Sequence, residues 1–127
     1  MIDALIPALA LAAQAAPAPV TLTPAQFAEA ISGMVGQSYE GGVTIAGIHA
    51  EGHTLVILLD GPAGWRASAS AGQVPAHLVT SFCEDRDFEY FTGGNRMRVD
   101  TEEGGAALHA GPVISACPPR APDARPQ

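Results

Sequence analysis

The chain has 127 residues and a formal charge of −7, from thirteen acidic residues against six arginines and no lysine. That length accommodates one domain of ordinary size. An acidic surface repels phosphate backbones and anionic bilayers, which argues against nucleic acid and anionic membrane surfaces as partners.

Met1 to Ala16 is apolar and Ala-rich, carries Ile2, Leu5, Ile6, Leu9 and Leu11, and closes on Ala13-Gln14-Ala15. A short apolar stretch followed by A-x-A predicts a secretory signal peptide over residues 1–15. The stretch is too short to span a bilayer, which takes roughly 20 apolar residues. Its first residues hold Asp3 and no base. Either a basic start lies upstream of Met1, or the stretch is an Ala-rich tail. The export reading places the mature chain in the periplasm or outside the cell. Residues 16–22, with Pro17 and Pro19, read as a stiff linker, and residues 23–117 as a single domain.

Thr23-Pro24-Ala25-Gln26 opens a helix: Thr23 caps it, Pro24 suits the first helical position and Gln26 completes a capping box. Phe27, Ile31, Met34 and Val35 then share one helical face, and Gly36 suits a left-handed cap. Val43 to His49 and His53 to Leu59 read as two strands joined by the three-residue loop Ala50-Glu51-Gly52. Leu55 to Leu59 is apolar on both faces, which predicts a central, covered strand. Residues 64–73 carry no pattern that assigns a structure. A second helix runs from Pro75 to Cys83, with Val74, Leu78, Ser81 and Phe82 on one side, and Arg86 to Phe91 suits a helical turn. Arg96 to Thr101 alternates, with Met97 and Val99 inward and Arg96, Arg98 and Asp100 outward. After a turn at Glu102 to Gly105 the chain returns over Ala106 to Ala110, and Pro112 marks an edge or a bulge. Residues 118–127, with four prolines, read as a disordered tail. The order α-β-β-α-β-β predicts a two-layer α+β fold, one antiparallel sheet with both helices on one face.

Cys83 and Cys117 each end an apolar run. Disulfides persist in oxidising compartments, so an exported chain favours a bridge between them. In the cytosol both would instead be small buried hydrophobes, and their wide separation lacks the paired spacing of zinc modules. A bridge closing a loop of about 35 residues stabilises by roughly 3.8 kcal/mol on chain-entropy grounds, and its loss is expected to cost roughly 2–5 kcal/mol.

The order of helix, strand, turn, apolar strand, helix ending in Cys, Gly-introduced hairpin and final Cys resembles that of small exported bacterial proteins of unknown function. Cys83, Gly94 and Cys117 match that order. The resemblance implies a fold and a compartment, not an activity.

Few residues point to chemistry. His49 and His53 flank the first hairpin turn, and a three-residue loop would set them face to face with Glu51 at the tip, two imidazoles and one oxygen for a metal. That set falls short of a structural or catalytic zinc site, and no other cofactor is expected. Glu84-Asp85-Arg86-Asp87 lacks the spacing of a calcium loop; Asp85 and Asp87 are expected to pair with Arg96 or Arg98. Trp65-Arg66 has the composition of an interaction hot spot, or of a lid over the sheet. No serine lies in a nucleophile elbow. The reading is a non-enzymatic periplasmic or secreted domain that binds a protein partner or supports an envelope assembly, through Trp65, Arg66, Arg96 and Arg98. The alternative is a small metal-binding protein or hydrolase built on His49, His53 and Glu51.

Overall fold

A computed structural model describes residues 22–85 and 87–119. The expected signal peptide, most of the linker, Arg86 and the tail from residue 120 onward lie outside the described residues. Helix α1 spans Pro24–Ala30, and its start is the expected capping box: Thr23 Oγ1 accepts from Gln26 N at 3.1 Å, and Thr23 N donates to Gln26 Oε1 at 2.9 Å. The α-helix ends at Ile31 and passes into a 3-10 turn over Ser32–Met34. Ser32 and Gly33 are weak helix formers, so the helix stops one turn before the pattern predicts, and Val35 ends exposed. Gly36, at φ +93°, redirects the chain so that its N–H meets Ile45 O at 2.8 Å.

The strands are β1 (Ser38–Tyr39), β2 (Val43–Glu51), β3 (Thr54–Gly61), β4 (Arg96–Glu103), β5 (Ala106–His109) and β6 (Val113–Ile114). They form one sheet in the order β1-β2-β3-β4-β5, with β6 beside β4. Pairing is antiparallel except at the centre, where β3 and β4 run parallel from Thr54↔Arg96 to Gly61↔Glu103. The segment between them contains helix α2 (Val74–Cys83). A crossover through a helix returns the chain to the end of the sheet it left, which makes the next strand parallel.

Alternation along the strands sorts two faces. Ile45, Leu55, Ile57, Leu59, Met97 and Val99 point to the helices and are buried, packed with Phe27 of α1 and Val74, Leu78 and Val79 of α2. Phe27 meets Phe82 edge-on at 5.5 Å between ring centroids, so both helices occupy the same face, as the α+β reading expects. No helix of the described residues lies over the opposite face, yet Val56 and Asp100 there are buried. The patternless stretch 64–73 holds two 3-10 turns, Trp65–Ala67 and Ala71–Gln73.

Candidate functional site

Two surfaces of this fold hold its notable chemistry: an apolar groove on the helix side and an ionic net on the helix-free side. The groove begins with Gly111. A Cβ built there would lie 2.1 Å from Val99 O, so only glycine lets the chain cross so close to β4. Gly111 N also donates to Asp100 Oδ1 at 3.1 Å. Beyond it, a strap of residues 112–119 runs along β4, held by two residue pairs, Met97↔Ile114 and Arg98↔Val113. The strap then reaches Cys117, bonded to Cys83 at the end of α2. Between α2 and this strap opens a groove of about 450 Å³, with Pro75, Ala76, Val79 and Thr80 on one wall, Pro112, Ile114 and Pro118 on the other and Val99 and Gly72 between them. No charged residue lines it.

On the helix-free face β2, β3 and β4 present His49, Val56 and Arg98 side by side, with Val56 paired to both neighbours. Arg98 donates from Nε to Asp100 Oδ1 at 2.7 Å, from Nη2 to Asp100 Oδ2 at 2.9 Å and from Nη2 to Glu51 Oε1 at 3.3 Å. A carboxylate only accepts, so His49 Nε2 donates to Glu51 Oε2, at 2.7 Å. The hydrogen bond from Arg98 holds the Asp100 carboxyl below its usual range, against the opposing pull of burial, and Gly111 N helps. His49 foremost, and Arg98 after it, lower the Glu51 carboxyl in the same way. The Arg98 guanidinium is raised in turn, chiefly by its bonds to Asp100. Val56, flanked by His49 and Arg98 of this net, is buried although no described helix covers it.

The remaining singled-out residues fall elsewhere. The first hairpin turns through two residues, Gly52-His53, because Gly52 adopts φ +59° and Glu51 pairs with Thr54. His49 therefore stands across from Val56, and His53 sits in the turn, where its carbonyl accepts from Arg96 N at 2.8 Å. The two histidines are not cross-strand partners, which corrects the face-to-face arrangement, and the described residues hold no cluster of three metal-ligating side chains. Trp65 is packed under the surface, in the lid arrangement over the sheet. It is 3% exposed, lies over Gly61, where a Cβ would come within 2.7 Å of its ring, and donates from Nε1 to Glu102 O at 2.8 Å. Arg66 is ion-paired to Glu103 at 2.6 Å and also donates to Thr101 Oγ1. Gly64 N and Arg66 together hold the Glu103 carboxyl low, the backbone N–H contributing most. Arg98 pairs with Asp100 and Glu51 in place of Asp85 or Asp87, and Arg96 is exposed with no ion pair among the described residues.

The fold is similar to that of two secretion pilotins. One is the pilotin EpsS of the Vibrio vulnificus type 2 secretion system, at 16% identity and a TM-score of 0.58, over 76% of this chain and 90% of that one. The other is the type II secretion system pilotin AspS of Vibrio cholerae, at 19% identity and a TM-score of 0.53, over 72% and 84%. At such identities the likeness is one of fold. No model of a known protein family matches the chain, and neither does any curated protein. The groove walls were invisible in the sequence, since they meet only once Cys83 and Cys117 join α2 to the strap. The one local signal was Pro112, which reads as an edge or a bulge and no more.

Proposed function

We propose that this chain is a non-enzymatic, protein-binding domain of the bacterial envelope that supports a secretion assembly, in the periplasm or outside the cell. The observation that carries the reading is an uncharged apolar groove on a pilotin-like fold. A concave apolar surface between a helix and a strand edge suits an apolar protein segment. A charged segment would lose its hydration there with nothing to pair against, so the groove selects an uncharged one. The Cys83–Cys117 bond suits an oxidising compartment, and no helix among the described residues is long and apolar enough to cross a membrane. The metal-binding or hydrolase alternative rested on His49 facing His53, and among the described residues His49 pairs with Val56 instead.

In-cell photo-crosslinking tests this reading. A crosslinking side chain at Ala76, on the groove wall, should trap an apolar, uncharged segment of an envelope secretion component. The same group at Arg96, on the helix-free face, should not. Equal capture from both positions, or a highly charged captured segment, would overturn the assignment.

A further inference from the structure

The disulfide lies at the edge of the molecule, and its position separates two roles that a bond of this kind can have. Every large, fully buried side chain among the described residues lies on β2, β3 or β4. The strap adds only Ile114 to the core, and that residue is partly buried. Cys117 is exposed, and Cys83 is half-buried. The strap is therefore poorly held by its own contacts: two residue pairs with β4, one apolar side chain and the bond. Pro112 and Pro118 offer no backbone N–H to bind it further. Yet this same strap supplies a whole wall of the groove, through Pro112, Ile114 and Pro118.

We infer that the Cys83–Cys117 bond is a redox latch on the docking groove: oxidised, it holds the strap as a wall, and reduced, it releases the strap and dismantles the groove while the core stays folded. The chemistry is ordinary exchange with a dithiol. One thiolate of the dithiol attacks the more exposed sulfur, Cys117 Sγ, and the S–S bond breaks with its electron pair leaving on Cys83 Sγ. The second thiol of the dithiol then closes its own disulfide and expels Cys117 Sγ. The dithiol is oxidised by two electrons, the protein disulfide is reduced, and each freed thiolate takes up a proton. Released, the strap gives up Met97↔Ile114 and Arg98↔Val113, and the groove loses one of its two walls. Competence to hold a partner then depends on the compartment, because the groove is complete only where the bond forms. This rests on the groove being the docking surface proposed above, but its test needs no partner, so the two readings fail separately.

The test is amide hydrogen exchange on the full chain, oxidised and after treatment with dithiothreitol, with Cys83→Ser/Cys117→Ser as a second route to the open state. Reduction should speed exchange at Gly111 and Ile114 by roughly tenfold or more, because local opening then replaces global unfolding as their route to exchange. The amides of Leu55 to Leu59 in β3 should change by less than about threefold. An unchanged strap would overturn the latch. So would loss of β3 protection together with the strap, since the bond would then hold the whole fold. If the double variant fails to fold, the reduced natural chain decides.

Discussion

Trp65 shows how far one residue's role depends on partners remote in sequence. Beside Arg66 and after a Gly-Pro turn, it has the composition of a contact residue. Its actual environment is set by Gly61, which offers a flat seat, and by Glu102 O on a parallel strand that joins only after α2, while Glu103 of that strand holds the neighbouring Arg66. Nothing within ten residues of Trp65 announces those last two. Trp65→Ala should lower unfolding stability by about 3–5 kcal/mol, through the cavity and the unpaired Glu102 carbonyl. A urea midpoint left unchanged, with partner capture lost, would instead return Trp65 to the surface role. The histidines carry the same lesson at shorter range. The turn forms at Gly52-His53 in place of Ala50-Glu51-Gly52, which shifts the register by three residues and pairs His49 with Val56. His49 thus joins Glu51 in the ionic net instead of facing His53.

At the scale of elements, much was legible. The capping box, the two-faced apolar run of β3 and the alternation of Met97 and Val99 each come from local chemistry, and each appears where the pattern puts it. Strand direction was not legible, because an order of α-β-β-α-β-β serves a meander and a crossover equally; only the apolar run of β3 hinted at parallel, covered pairing. The Cys pairing was readable, whereas its consequence changes with the structure. The chain-entropy figure of roughly 3.8 kcal/mol assumes that the folded state keeps both ends fixed whether or not they are linked. Here one end is a strap with little else to hold it, so the reduced native state regains much of the freedom that the unfolded chain regains. Cys83→Ser and Cys117→Ser should each cost about 1–2 kcal/mol of global stability by urea titration, below the roughly 2–5 kcal/mol usual for such bonds. The double variant should be no worse than either single one, since both remove one bond. A loss at the upper end of the usual range would mean that the strap contributes to global stability and not to the groove alone.

Across the whole molecule, an excess of negative charge coexists with a helix-free sheet face, and the two are reconciled around β4. Asp100 and Glu103 lie on that strand and Glu51 lies within reach of it; each is tied to an arginine, and each carboxyl is held below its ordinary value, 3.8 for the aspartate and 4.5 for the glutamates. A carboxyl lowered on folding contributes stability that is present above its unfolded value and is lost as pH falls through its folded one. The fold should therefore keep this contribution at neutral pH and lose it progressively below about pH 4. Glu51 sits half in solvent and Glu103 is partly exposed, and screening weakens such contacts. Asp100, with its side chain 8% exposed, carries the larger share. Asp100→Asn keeps the shape, removes the titrating group and leaves Arg98 with Glu51 alone. At pH 7 it should cost about 1–3 kcal/mol, the range for a hydrogen bond to a charged partner that is mostly buried. On acidification the variant should lose less stability than the natural chain, so the two curves converge toward pH 2. Urea titrations from neutral to strongly acid pH read this directly. Parallel curves would show that the Arg98–Asp100 contact does not couple folding to protonation.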